Sequence, residues 1–485
     1  MTYQLVIWLE VHIKIKSPNK LFCQCKNEQN FDTLTPNTHI CPICTGQPGA
    51  LPTLSFEPLF QALVLGKALN CKINQPSTFD RKSYFYPDLP MGYQITQLYH
   101  PTNIDGEVTF YIDDEYKIEK TIWIRDAHIE TDTAKMIHSN GKALIDFNRA
   151  GTPLVEIVTQ PDFRDAQEVS AFIKELQKRA KYNNISDADM DKWQMRVDVN
   201  ISIRKSENDE YGTRVELKNI NSTSMIRRAI ANEYQRQIDL LENGWTIYQE
   251  TRKRDDSKWE STAMRSKEDA LDYRYFPEPD LPPLQIDQTT LDKLSNINLE
   301  IPHQIIKKFK KEYWFHKEYI NTLVNNKSIL DYFFNILHQD NMLSPKLIAK
   351  RISGPISAYL KENYIQITAL RFSQNQFIKF LDIAQKWEIL DNQLKEVMTE
   401  MLNHWTDPEK IIESKWFDTP WFDDSELDRI IQKIIDENPD TVQKYKNWKT
   451  SVLWFFVWQV MRETQGKVNP NVVQEEVRKI IQSIK

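Results

Sequence analysis

The hydrophobic periodicity of this chain changes once, near Thr290, and that change dictates two kinds of folding unit. Upstream of it, apolar and polar residues alternate in strand-like runs at Tyr3–Lys16, Val108–Ile112, Lys120–Ile124, Leu154–Thr159, Met195–Ile203 and Thr213–Leu217. Helical spacing interrupts them at Pro58–Leu69, Asp165–Tyr182 and Ser224–Glu242. Downstream, strand signals vanish and Lys-, Asn- and Ile-rich helical patterns run to the end. The expected fold is α+β: a mixed α/β domain over residues 1–292, then an all-α helical domain over 293–407 and a helical tail over 408–485, broken near Asp407-Pro408. The Pro-rich stretch from Phe276 to Leu284 reads as the linker.

Composition sets outer limits. With 40% hydrophobic residues over 485 positions, the chain can build sizeable cores, which excludes wholesale disorder. A net charge of −6 means that any nucleic-acid contact must come from a local patch. The longest apolar run, Val452 to Val460, is far below the ~20 residues of a membrane span. No signal or transit peptide opens the sequence, so a soluble, cytoplasmic protein is expected.

Four cysteines carry the first chemical signal. Cys23, Cys25, Cys41 and Cys44 form a CxC and a CxxC joined by an Asn- and Thr-rich loop. That spacing suits a tetrahedral S₄ site, a closed structural zinc knuckle. Cys71 reads as a lone packed thiol. The second signal is the first strand, where Leu5, Ile7, Leu9, Val11 and Ile13 take one face and Trp8, Glu10, His12 and Lys14 the other. A carboxylate and an imidazole on one face suit a hard divalent cation if further carboxylates join them. The candidates are Glu130, Glu156 and Glu216. Arg149, Arg196, Arg214, Lys218, Arg252, Arg265 and Lys267 lie in the same polar segments and form a set able to clamp phosphates or carboxylates. Neither a P-loop, a Rossmann fingerprint nor a Ser-hydrolase elbow is present. There is also an internal echo: Asp80 to Pro90 and Asp272 to Pro282 both pair an Arg and aromatics with a stiff Pro-Asp-Leu-Pro arm, and read as structural braces.

Taken together, these segments resemble the GatB family, the B subunits of the aspartyl/glutamyl-tRNA(Asn/Gln) amidotransferases. The resemblance rests on Leu9-Glu10-Val11-His12, the cysteine knuckle ending in Gly49-Ala50-Leu51-Pro52, the first arm, and Asp146-Phe147-Asn148-Arg149 through Val158. It continues through Arg196 to Asn200, Arg214 to Ser222, Gln249 to Arg252, Met264 to Glu268, the second arm and Gly466-Lys467-Val468-Asn469-Pro470. It implies a cradle domain that binds ATP and Mg²⁺ and phosphorylates the side-chain carboxylate of misacylated Glu-tRNA(Gln) or Asp-tRNA(Asn). Ammonia released from glutamine by the family's A-type partner would then displace phosphate, within a heterotrimer of GatB with the A-type and C-type amidotransferase partners. Carried onto this chain, Glu10, His12, Glu130, Glu156 and Glu216 are the expected catalytic set, and the first four are the expected Mg²⁺ ligands. Arg196, Arg214 and Lys218 are the expected phosphate or acyl contacts. The helical tail is similar to a YqeY-like tRNA-docking module, with Gly466 and Lys467 as tRNA contacts. Thr131 stands where the family usually carries a carboxylate, which leaves Asp132 as a substitute. An archaeal-type paralogue would carry an inserted domain for which this chain has no room. The competing function is a non-catalytic zinc-knuckle scaffold that binds tRNA through a decayed site.

One departure is systematic. The chain has 11 glycines, where ordinary usage of ~7% would supply about three times as many. Trp8, Trp123, Trp193, Trp245, Trp259, Trp416, Trp448 and Trp458, and with them Trp314, Trp387, Trp405 and Trp454, fall where related sequences carry glycine. The expectation is a gene whose organism reads UGA as glycine. An indole at Trp8 would fill nucleotide space beside Glu10 and His12, and Trp245 stands where a helix C-cap glycine is expected.

Overall fold

The computed structural model describes residues 3–220, 222–255, 260–266, 272–386, 389–415, 417, 424–446, 452–464, 468 and 470–483. The chain divides into two compact units, Met1–Lys308 and Phe309–Lys485. In chain order the strands of the first unit are β1 (Gln4–Lys14), β2 (Lys72–Ile73), β3 (Asp80–Ser83), β4 (Tyr93–Thr96), β5 (Asn103–Tyr111), β6 (Glu119–Thr131) and β7 (Lys135–Ser139). Then follow β8 (Lys142–Asp146), β9 (Pro153–Thr159), β10 (Met195–Arg204), β11 (Val215–Ile220), β12 (Glu250–Asp255), β13 (Glu260–Ser266) and β14 (Phe276–Pro277). Nine of them form one sheet in the order β13-β12-β11-β10-β1-β9-β6-β5-β2. Every pairing in it is antiparallel except β11 with β12.

The alternation read from β1 sets the layers. Leu5, Ile7, Leu9, Val11 and Ile13 are buried with Val155 and Ile157 of β9 and Val197, Val199 and Ile201 of β10. They pack against α1 (Phe56–Ala68), α2 (Ala166–Tyr182) and α3 (Thr223–Glu242). Each such side chain contributes about 1.5–3 kcal/mol by leaving water. The helices start where capping chemistry allows: Asp165 accepts from the Gln167 amide and Ser222 from that of Met225. With the apolar face covered, the polar residues of the same strands share the opposite face.

The stretch from Phe276 to Leu284 is not the linker expected of it. Phe276 pairs with Arg81 and Pro277 with Asp80, so β14 joins β3 and β4 in a separate three-stranded sheet. Arg81 forks onto the buried Glu278 through Nε and Nη2 at 2.8 and 2.9 Å, reaches Asp280 at 3.1 Å and lies 4.2 Å over the Tyr93 ring. Prolines kept the segment out of the large sheet without freeing it. The two echoing arms therefore brace one another.

The first unit ends with α4 (Gln288–Ser295), and α5 (Pro302–Lys311) runs across the division. The second unit continues with α6 (Lys317–Val324), α7 (Lys327–Gln339), α8 (Pro345–Arg351), α9 (Ser357–Glu362), α10 (Gln374–Lys386), α11 (Asp391–His404) and α12 (Pro408–Ser414). A π turn at Ile352–Ile356 joins α8 to α9 at Pro355, whose missing N–H breaks the helical ladder. α12 packs on α10 and α11. A separate small core unites α13 (Asp424–Asp436), α14 (Pro439–Lys446), α15 (Leu453–Glu463) and α16 (Pro470–Ser483), centred on Ile431, Phe456, Val460, Val473 and Val477. Among the described residues from α4 onward there is no strand, and no helix is long and apolar enough to cross a membrane.

Candidate active site

Register determines which polar side chains meet. His12 on β1 stands opposite Glu156 on β9, and Glu156 in turn stands opposite His128 on β6. His12 Nε2 lies 3.2 Å from Glu130 Oε1 and 3.4 Å from Glu156 Oε2. His128 Nε2 lies 3.2 Å from that same Glu156 oxygen, while its Nδ1 is 2.8 Å from Asp126 Oδ1. Burial works against charge on both imidazoles, yet the carboxylates around them prevail and push each pKa up to about 10. Glu156, although buried, is held well below the usual carboxylate range by those two rings. His12, Glu130 and Glu156 place one ligand atom each within 4.8 Å of one another.

Glu10 belongs to a second cluster. On the other side of β1 it opposes Asp198 of β10, and Asn200 of β10 opposes Glu216 of β11. Glu10, Asp198 and Glu216 also converge within 4.8 Å. Burial first, then Glu156, Glu216 and Asp198, raise the Glu10 pKa. Lys218 bridges Asp198 at 3.2 Å and Glu216 at 2.9 Å, and the Thr251 hydroxyl donates to Glu216 at 2.8 Å. Asn200 donates Nδ2 to Glu10 at 3.2 Å. The three carboxylates make an all-oxygen donor set that fits a hard divalent cation, and the buried Asn200 amide beside Glu10 keeps an oxygen free of hydrogen bonds among the described residues. The expected Mg²⁺ shell of Glu10, His12, Glu130 and Glu156 is thus shared between two neighbouring clusters on one sheet face.

A cavity of about 290 Å³ opens over this face, lined by His12, Glu130, Lys218, Arg196, Asp132, Asp198, Lys82 and Tyr84 among others. Arg196 points to Asp132 at 3.3 Å, and Arg149 reaches the other Asp132 oxygen at 3.7 Å while donating to the Thr133 and Ala134 carbonyls. Asp132 is therefore an anchor for cations and replaces no ligand in either cluster. Thr131 gives its carbonyl to Gln94. Arg214 precedes β11 near Glu216 and does not line the cavity, and Arg252 is paired with Glu250 on β12. Of the remaining cations, nothing is described of the Arg265 side chain, and Lys267 lies outside the described residues, as do Gly466 and Lys467.

Six groups here were not singled out from sequence. Asp126 and His128 on β6, and Asp198 and Asn200 on β10, sit two or four positions from the recognised Glu130 and Arg196, so strand alternation carried their signal. Lys82 and Thr251 come from segments whose pairing is long-range, and no local pattern marks them.

The cysteine quartet converges as expected. Cys23, Cys25, Cys41 and Cys44 place their sulfurs within 4.8 Å of one another, with Cys44 and Cys25 at 4.0 Å. Lys20 is fully buried and sends Nζ to the His39 and Phe147 carbonyls and to Cys44 Sγ at 3.6 Å. A buried ammonium with no carboxylate partner among the described residues needs an anion, and a thiolate set supplies one. The hydrogen bond from Cys23, assisted by Lys20, pulls the Cys44 pKa down to about 5 although burial opposes it. The residues fit structural zinc.

The tryptophans divide into two groups. Trp193, Trp314 and Trp405 adopt left-handed backbone at φ 57°, 53° and 60°. Trp193 is half exposed and lines the cavity, whereas Trp8, opposite Asn200, does not. Trp245 is not at a strained position: Gly244, at φ 78°, makes the left-handed turn itself. Trp454 and Trp458 are both exposed on one face of α15, and Trp123 on β6 is exposed as well. Trp259, Trp387, Trp416 and Trp448 lie outside the described residues.

Residues 5–292 match the family described as the GatB/GatE catalytic domain, and residues 331–481 the GatB domain. The aspartyl/glutamyl-tRNA(Asn/Gln) amidotransferase B-subunit protein of Crocosphaera subtropica is 38% identical over 99% of this chain and 98% of its own. Proteins of the same name from Caldicellulosiruptor bescii and Agathobacter rectalis are also 38% identical, over 100% and 99% of both chains respectively.

Proposed function

This chain belongs to the GatB family of tRNA-dependent amidotransferases, and on that premise we propose that its cradle activates an aminoacyl side chain with ATP. The reaction is transfer of the terminal phosphoryl group of ATP to the side-chain carboxylate of Glu-tRNA(Gln) or Asp-tRNA(Asn). Ammonia, freed from glutamine by the A-type partner, then displaces phosphate and forms the amide. Activation is needed because a carboxylate has no leaving group, whereas an acyl phosphate does. The working form would be a cytoplasmic heterotrimer with the A-type and C-type partners, and the helical tail would dock tRNA through contacts that include Gly466 and Lys467.

The observation that carries this reading is the pair of acidic clusters facing one cavity with Arg196 and Lys218 at its wall. Glu10, Asp198 and Glu216, adjoined by His12, Glu130 and Glu156, would hold Mg²⁺, which when bound offsets phosphate charge. Arg196 and Lys218 are anchored by Asp132 and by Asp198 with Glu216, so they present cationic N–H groups in fixed directions. Asp126 and His128 hold Glu156 from behind and keep it from turning away.

Trp193 on the cavity wall favours the second reading, a tRNA-binding scaffold that no longer turns over ATP. The reconstituted heterotrimer decides between them. ATP cleavage that depends on Glu-tRNA(Gln) or Asp-tRNA(Asn), abolished by Glu216→Gln, supports the kinase step. tRNA binding without ATP cleavage leaves the scaffold.

A further inference from the structure

β3 presents successive side chains to opposite sides. Arg81 turns to Glu278 in the brace, and Lys82 turns into the cavity. The other cations lining that cavity are committed: Arg196 to Asp132, Lys218 to Asp198 and Glu216, His12 to Glu130 and Glu156. Lys82 is different. Among the described residues it has no carboxylate within ion-pair distance, and its Nζ lies 4.9 Å from the centre of the Tyr273 ring. Tyr273 in turn meets Tyr84 and Tyr275 edge-on at 6.0 and 6.1 Å. An aromatic face steadies an ammonium without neutralising it, so the charge stays available to an incoming anion. Burial disfavours that charge, but Glu130, Tyr275 and Glu156 keep it firmly in place.

We infer that the cavity contains an oxyanion subsite centred on Lys82 and walled by Tyr84, Tyr273 and Tyr275, distinct from the anchored cations Arg196 and Lys218. The inference rests on the kinase reading above for the identity of the oxyanion, not for the existence of the subsite. Two oxyanions of the proposed reaction share this chemistry: the terminal phosphate of the nucleotide and the side-chain carboxylate of the acyl group. A flexible point charge suits either, since it follows an oxygen that moves during transfer.

The test uses the full chain in its heterotrimer, with Lys82→Met and Lys82→Arg. Binding of inorganic phosphate and of Mg·ATP is measured by calorimetry, and turnover by varying ATP and Glu-tRNA(Gln) separately. Loss of one charge-assisted contact predicts a fall of roughly 10- to 100-fold in phosphate affinity and in kcat/KM for Lys82→Met, with most of both restored in Lys82→Arg. A rise confined to the KM for ATP assigns the subsite to the nucleotide, and one confined to the KM for Glu-tRNA(Gln) assigns it to the acyl carboxylate. Lys82→Met that binds phosphate and turns over within about twofold of the wild type overturns the subsite. If the wild type binds phosphate through Lys82 yet cleaves no ATP, the kinase reading falls and the subsite stands.

Discussion

His128 faces Glu156 directly across β6 and β9, and both ring nitrogens of His128 are taken by carboxylates, Asp126 at 2.8 Å and Glu156 at 3.2 Å. A neutral imidazole would set a lone pair against one of those oxygens, so the geometry demands an imidazolium. The pair is buried, and each charge is compensated only by its neighbours.

His128→Ala is accordingly expected to leave Asp126 and Glu156 buried without their shared cation, at a cost of about 3–5 kcal/mol. Urea unfolding of the variant measures it. His128→Gln, which keeps a donor toward one carboxylate, is expected to recover part of the loss. Mn²⁺ titration should show affinity falling roughly 10- to 100-fold in either variant, because Glu156 is no longer held in place. Unchanged stability in His128→Ala would contradict the imidazolium assignment.

The same groups set a pH dependence. His12 and His128 have folded pKa values near 10, above the 6.5 of a free imidazole, so the folded state binds protons more tightly than the unfolded one. Their stabilisation is complete below about pH 6.5 and is lost as pH rises through about 10. Thermal unfolding of metal-free protein from pH 6 to 10 should show a falling Tm, and Glu156→Gln should flatten that slope. A Tm that rises over this range would have the wrong sign.

One zinc ion per chain is expected, held by Cys23, Cys25, Cys41 and Cys44. Cys44→Ser should release it, measured by elemental analysis, and lower the Tm by several degrees, since metal affinity here is folding energy. Lys20→Met should weaken zinc retention under chelator without removing a ligand, because the thiolate charge loses its buried counterion.

Glycine is expected to stabilise at Trp193, Trp314 and Trp405, where an L side chain in left-handed backbone costs about 1–2 kcal/mol. After the greater entropy that glycine loses on folding, a net gain of roughly 0.5–1 kcal/mol per site remains. Trp245→Gly, beside a glycine that already makes the turn, should gain nothing. Peptide masses from protein made in the native organism read positions 193, 314 and 405 directly. Glycine there establishes recoding, and tryptophan there refutes it. Trp193→Gly should in addition enlarge the cavity and lower the KM for ATP.

Much of this architecture was legible because a strand has a period of two. The split of β1 into an apolar and a polar face follows from five alternating residues, and so does the placement of Glu10 and His12 on one side. Their division between two clusters was not legible. It depends on β9 lying along one edge of β1 and β10 along the other, pairings made across more than a hundred residues. Phe276 to Leu284 was misread for a related reason: proline excludes a segment from a central strand but says nothing about a short pairing with Asp80 and Arg81. The cysteine knuckle needed no such knowledge, because ligand chemistry and local spacing suffice.

The central position of β1 has a consequence for synthesis. β1 is synthesised well before both strands that border it, β9 and β10, so at ~5–20 residues per second it waits on the order of ten seconds for its neighbours. During that time both of its edges are open. The charged residues on its polar face, Glu10, His12 and Lys14, then act as gatekeepers against pairing with another nascent chain. His12, which later lines the cavity, thus first helps to protect the polypeptide that will form it.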